Sequence, residues 1–255
     1  MSIAENLEQI RGRIAAAARR CGRSPDQIAL MAVSKTFPAS AIREAYAAGQ
    51  RLFGENRVQE FAAKAGEVGD LEGAEFHLIG HLQSNKSAWA VELFDAVDAL
   101  DSIRLAKRLD AATAELVDPL PRELRWLSAG ALPGAARVRR PYPVLVEVNI
   151  AGEEQKSGMA PDSPELLQLL EAAPSLPAIA IRGLMTVPPF TDDPEGARPH
   201  FHALRELRER LAARFPGVPL RELSMGMSHD FEVAIAEGST CVRIGSAIFG
   251  ARERH

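Results

Sequence analysis

The stretch Ile28-Ala-Leu-Met-Ala-Val-Ser34-Lys35 is a short, unbroken apolar run that ends on a lysine. Such a run without polar alternation is what a strand buried on both faces requires, and strands of that kind belong to parallel sheets covered by helices. Pro38 follows, placed to open a helix that continues through Glu44 to Ala48. Outward from this unit the same alternation recurs. Arg51 to Gly54 leads to a helix from Val58, Phe76 to Gly80 to one from Ser84, and Ala96 to Leu100 to one from Ser102 to Glu115. Further on, Val144 to Ile150 precedes a helix near Pro164 to Ala173, and Ile179 to Met185 a long helix from Gly196 to Phe215. Arg221 to Met225 then precedes a helix from Asp230, and Cys241 to Gly245 ends the series. Strands alternating with helices predict a parallel sheet, and eight units of roughly 32 residues fit a single (β/α)8 TIM barrel over residues 1–255. An open doubly wound sheet is the alternative, because periodicity is blind to closure. Ahead of the barrel, Ser2 to Glu5 is a capping box, and Ile3, Leu7, Ile10, Ile14, Ala17 and Cys21 recur three and four apart. An extra N-terminal helix is therefore predicted.

With 46% hydrophobic and 25% charged residues, the chain can bury a real core. No run of ~18 apolar residues predicts a membrane span. The opening Met1-Ser2-Ile3-Ala4-Glu5 places acid where a secretory signal needs an apolar stretch, so a cytoplasmic protein is expected. Two cysteines, Cys21 and Cys241, are too few for a disulfide framework or a Cys-rich metal site, in keeping with a reducing compartment. The net charge of −4 disfavours nucleic acid as a partner. One segment breaks the rhythm: Asp118 to Tyr142 holds four prolines and five arginines, and is expected to be a long loop.

In a barrel of this kind the site lies at the C-terminal ends of the strands. Lys35 terminates the most apolar strand, where desolvation favours a neutral amine suited to Schiff-base chemistry; an ordinary solvated lysine is the competing reading. After the seventh and eighth strands, Ser224-Met-Gly-Met-Ser228 and Gly245-Ser246 offer small residues at the start of helices, where barrels commonly hold phosphate. A strand-end lysine with two such loops points to a phosphorylated carbonyl compound. Other clusters fail on geometry. His77 and His81, four apart on a strand, would be ~13 Å from each other at ~3.3 Å per residue, and Ser228-His229-Asp230 cannot align as a triad when adjacent in sequence. No metal site is predicted.

Several blocks carry a resemblance: Ala32-Val-Ser-Lys-Thr36, Phe53-Gly-Glu-Asn56, Phe76-His-Leu-Ile-Gly-His-Leu-Gln-Ser-Asn-Lys86, Glu147-Val-Asn-Ile150 with Lys156-Ser-Gly158, Arg182-Gly-Leu-Met185, Leu223-Ser-Met-Gly-Met-Ser228, and Arg243-Ile-Gly-Ser-Ala-Ile-Phe-Gly250. Together they resemble the pyridoxal phosphate homeostasis proteins, the YggS/PROSC family, from about Ile28 to Gly250. The resemblance implies a barrel like the N-terminal domain of alanine racemase and pyridoxal 5′-phosphate held as an aldimine on Lys35. It implies that Arg243 meets the pyridine nitrogen, that Ser228, Gly245 and Ser246 cradle the phosphate, and that Ser224 and Met225 line its approach. Asn56 and His81 correspond to pocket-wall positions. Two departures stand out: the Asp118 to Tyr142 segment is longer than is usual in the family, and Ser246 stands where threonine is frequent.

The expected function is custody of the cofactor in vitamin B6 homeostasis, with no catalytic residue assigned and no strong turnover. The expected partners are pyridoxal phosphate, amino acids and transient apoenzyme acceptors, with no nucleic acid or membrane, and the chain is expected to be a monomer. A low-activity amino-acid racemase is the alternative, and a cofactor-free barrel forming a Schiff base with a sugar phosphate is a third. In the alanine racemases a tyrosine from an added β-domain serves as the second proton donor, and here the only tyrosines are Tyr46 and Tyr142, neither at a strand's C-terminal end.

Overall fold

The computed structural model describes residues 1–116, 141–153 and 155–250. The Pro- and Arg-rich segment from Asp118, up to its last two residues, lies outside the described residues. Eight parallel strands close on themselves in chain order. They are β1 (Ala29–Val33), β2 (Leu52–Glu55), β3 (Glu75–Leu78), β4 (Ala96–Leu100), β5 (Tyr142–Glu147), β6 (Ile179–Met185), β7 (Glu222–Ser224) and β8 (Cys241–Ile244). Around them run α1 (Ile3–Arg20), α2 (Ala39–Ala47), α3 (Val58–Ala65), α4 (Ser87–Leu93), α5 (Ile103–Glu115), α6 (Pro164–Ala172), α7 (Arg198–Arg214), α8 (Phe231–Ala236) and α9 (Ser246–Phe249). The predicted barrel is thus closed. The open sheet is excluded by the register of β1 on β8, in which Met31 lies opposite Arg243 and Ala32 opposite Ile244.

Side chains on the outer face of the strands, among them Ala32, Phe53, Phe76, Val97 and Ile244, pack under the helices in one hydrophobic layer. Within it Phe53 and Phe76, neighbours across β2 and β3, stack with ring centroids 5.1 Å apart. Phe61 of α3 leans on Phe76 at 4.7 Å and on Phe94 at 4.9 Å. Each ring buries a large apolar area, so these contacts fix α3 against the barrel wall. The inward face is more polar: His77 Nδ1 lies 3.1 Å from Asp98 Oδ1. Burial alone disfavours a charged ring there, but the charge and hydrogen bond of Asp98, with Glu75, outweigh it and hold His77 up at about 10.

The predicted N-terminal helix forms with its capping box complete, each of Ser2 and Glu5 taking the other's backbone N–H. Leu7, Ile10 and Ile14 are its buried stripe. Asn6 Nδ2 donates to the carbonyl of Ile248 at 2.8 Å, so α1 braces α9 just behind the end of β8. No helix among the described residues is long and apolar enough to cross a membrane.

Two strands approach with no room to spare. A Cβ at Gly183 of β6 would stand 2.0 Å from the backbone oxygen of Glu222 on β7, and a strand backbone cannot step aside as a side-chain tip can. Gly183→Ala should therefore destabilise the fold by about 3 kcal/mol, the upper part of the range for overpacking. Urea unfolding measures it, and an unchanged midpoint would show that β7 can yield.

Candidate functional site

The C-terminal ends of the strands surround a cavity of about 570 Å³. Lys35, Asn56, His81, Ser228, Arg243, Gly245 and Ser246 all line it, although they come from five different strand ends. Lys35 sits in a tight turn after β1, in which Phe37 N–H donates to Ser34 O at 3.1 Å. Thr36 in that turn has φ of +68°, a conformation costly for a β-branched residue and most often found where surrounding structure imposes it. Phe37 stacks on Phe249 of α9 at 5.0 Å, which ties the lysine turn to the segment following Ser246.

Arg243 is nearly fully buried at 4% exposure and carries its charge into the barrel. Nη1 donates to Ser224 Oγ at 2.7 Å and Nη2 to Thr186 O at 2.7 Å, so the guanidinium plane is held at two points. Burial pushes its pKa down, opposed by the charges of Asp98, Glu147 and Asp230; a guanidinium stays protonated regardless. Thr186 is itself anchored, donating through Oγ1 to Val148 O at 2.7 Å. On the neighbouring rim the hydroxyls of Ser246 and Ser228 lie 3.4 Å apart, a pair spaced to share one anion. His81 stands at the mouth, more than half exposed, with Nδ1 2.7 Å from Asp101 Oδ2. Asn56 is set by a close crossing: a Cβ at Gly80 would lie 2.4 Å from the Asn56 carbonyl oxygen, so the loops after β2 and β3 touch backbone to backbone.

Two expected residues are placed elsewhere. Ser224 and Met225 have no exposed surface and do not line the cavity. Strand alternation is the reason: Ser224 points inward one layer deeper and receives Arg243, while Met225 turns outward into the core beneath the helices. Ser224 thereby acts as a support for Arg243.

The structure also brings in residues that sequence reasoning passed over. β5 ends at Glu147, not Ile150: Val148 N–H still donates to Met185 O of β6 at 2.8 Å, but Val148 also bridges Met159, whose N–H donates to Glu147 O at 2.8 Å. Glu147 therefore occupies the strand end and lines the cavity, nearly buried, with Oε1 accepting from Ser157 Oγ at 2.9 Å. Burial raises its carboxyl pKa, with Asp101 adding to the rise and the Ser157 hydrogen bond opposing it. Lys156, on the same folded-back loop, is a second amine in the cavity wall; it pairs with Glu153 and donates to Val187 O at 3.4 Å. Lys86, in a 3-10 turn, does not line the cavity. The signal available for Glu147 was its acidic side chain near a strand end; for Lys156, none beyond its motif.

A primary amine, a fixed guanidinium and a pair of hydroxyls beside a glycine suit a phosphorylated aromatic aldehyde: the amine for the carbonyl, the hydroxyls for the phosphate, the guanidinium for a ring acceptor. The comparisons with known proteins agree in direction. A family profile described as alanine racemase, N-terminal domain, matches residues 6–253. The pyridoxal phosphate homeostasis protein of Escherichia coli K12 is 45% identical over 98% of this chain and 97% of its own, and that of Aquifex aeolicus is 40% identical over 99% and 100%. The structure of PipY from Synechococcus elongatus with PLP bound superposes with a TM-score of 0.78 at 37% identity, covering 98% of this chain and 100% of that one. Alanine racemase from Bartonella henselae, at 14% identity and a TM-score of 0.65, shares the fold over 98% of this chain and 58% of its own. By full-length identity and by fold, the chain belongs to the pyridoxal phosphate homeostasis proteins, a family built on the alanine racemase N-terminal domain.

Proposed function

We propose that this protein binds pyridoxal 5′-phosphate and keeps it in custody, as part of vitamin B6 homeostasis in the cytoplasm, with little turnover of its own. The observation that carries the reading is that Lys35, Arg243 and the Ser228–Ser246 pair line one cavity of about 570 Å³. In this reading Lys35 would hold the cofactor covalently, its amine supplying the nitrogen for the aldehyde carbon. Ser228, Ser246 and the backbone at Gly245 hold the phosphate, and Asn56 and His81 form the side walls.

Arg243 bears on the question of catalysis. A permanently charged arginine can only donate to a ring nitrogen, which favours the unprotonated ring and weakens it as an electron sink. Neither tyrosine helps: Tyr46 Oη donates to Glu72 O at 2.8 Å and Tyr142 Oη to Phe94 O at 3.2 Å, and neither lines the cavity. One observation favours the racemase alternative. Glu147 ends β5, four strands from β1 around an eight-strand barrel, so it faces the cavity from the wall opposite Lys35. A carboxyl raised by burial is a competent proton donor there.

Three outcomes are expected. Borohydride reduction of the cofactor-loaded protein followed by peptide mapping should place the pyridoxyl group on Lys35; finding it on Lys156, the other cavity amine, would reassign the site. Ser228→Ala should weaken pyridoxal phosphate roughly 10- to 100-fold, the loss of one charge-assisted hydrogen bond, and leave unphosphorylated pyridoxal nearly unchanged. Equal losses for both ligands would remove Ser228 from the phosphate. With L-alanine in deuterated water, the loaded protein should show little α-proton exchange and no accumulation of D-alanine; enzyme-like rates abolished by Lys35→Ala and by Glu147→Gln would establish a racemase.

A further inference from the structure

Beneath the Lys35 turn, on the side away from the cavity, lies a buried ion pair that the binding site does not use. Glu55, the last residue of β2, is fully buried, and Lys64 of α3 is 8% exposed. Neither lines the cavity. Lys64 Nζ lies 2.9 Å from Glu55 Oε1 and donates to two backbone carbonyls, Ser34 O at 3.1 Å and Phe37 O at 3.0 Å. These two carbonyls flank Lys35 on either side. The same Glu55 oxygen accepts from Ser34 Oγ at 2.5 Å, and the Glu60 carboxylate, also on α3, accepts the Thr36 N–H. Ser34, Thr36 and Phe37 are thus each gripped by a charged side chain from β2 or α3.

This arrangement is poorly explained by stability. Burying two charges costs desolvation that their attraction only partly repays, and apolar replacements of similar volume commonly serve as well. The second carboxylate oxygen, Glu55 Oε2, is buried with no hydrogen-bond partner among the described residues, a further cost that an apolar wall would not carry. What the pair does supply is direction. It holds a turn containing a non-glycine residue at φ +68°, and it does so from α3, which the Phe61 contacts lock to the barrel wall.

We propose that Glu55 and Lys64 are positioning residues, which fix the backbone around Lys35 so that its amine meets an aldehyde whose phosphate is anchored at Ser228 and Ser246. The inference rests on the cofactor reading above. A long lysine side chain can wander over several ångströms, and capture of a carbonyl depends steeply on how it is held: a misplacement of 1 Å can cost on the order of 100-fold in reactivity. Loosening the turn should therefore impair capture of the aldehyde and spare the binding of phosphate and ring.

Two ligands separate these effects. Pyridoxine 5′-phosphate has an alcohol in place of the aldehyde and cannot condense with an amine. The test compares wild type, Lys64→Met and the double variant Glu55→Gln with Lys64→Met, each checked for folding by circular dichroism. The double variant leaves no unpaired buried charge, so it keeps the test open if the single variant fails to fold. The expected result is pyridoxine 5′-phosphate affinity within about 2-fold of wild type, pyridoxal phosphate affinity lower by about 10- to 100-fold, and a slowed rise of the yellow absorption band. If the two ligands weaken in parallel, or pyridoxal phosphate binds and colours the double variant as it does the wild type, the pair is only structural and the proposal is overturned. A wild-type protein that binds neither ligand would instead overturn the cofactor reading itself.

Discussion

The hydrogen-bonded pairing of β1 with β8 is the constraint on which the site depends. Ala29 to Ala32 run in register with Cys241 to Ile244, joining segments more than two hundred residues apart in the chain. Closure places the turn bearing Lys35 beside the strand that delivers Arg243, and the Phe37–Phe249 stack carries the junction past the end of the sheet. In an open sheet these would be opposite edges. The helix α1 then covers the outside of the seam, with Asn6 on Ile248 and Arg13 Nε 3.1 Å from Glu232 of α8. A ligand gripped by both Lys35 and Ser246 would bridge the seam from inside, and any ligand bound only to the closed state adds to its stability.

The cavity divides its work between fixed and adjustable groups. Arg243 is immobilised at two points by Ser224 and Thr186, and Thr186 ties it in turn to Val148 beyond β5. A planar guanidinium held this way presents its remaining edge in one orientation, which a lysine could not do. At the mouth, His81 and Lys156 are paired with Asp101 and Glu153 on more exposed ground, where charges are hydrated and side chains can rearrange. The deep groups are therefore suited to holding a ring, and the outer ones to meeting whatever arrives from solvent.

Much of this was legible in the chain itself. The unbroken apolar run at β1 and the alternation of short strands with helices marked all eight strands, and the residues closing them included Lys35, Asn56 and Arg243. That Ser224 and Met225 are fully buried, off the cavity lining, was not legible, because adjacent residues on a strand face opposite ways and motif position does not reveal which. Glu147 was passed over because β5 stops early, where Val148 pairs with Met159 from a loop that doubles back.

Local order was set by the sequence: which segments are strands or helices, where α1 begins, and which residues stand near strand ends. Those follow from side-chain periodicity and capping, which act over a few neighbouring residues. Closure of the sheet, the entry of Lys156 into the cavity wall and the grip of Glu55 and Lys64 on the Lys35 turn were decided only by the tertiary structure. Each is a contact between segments distant in the chain, arising from strand register, a folded-back loop and the docking of α3, and no periodicity along one segment encodes its partner on another.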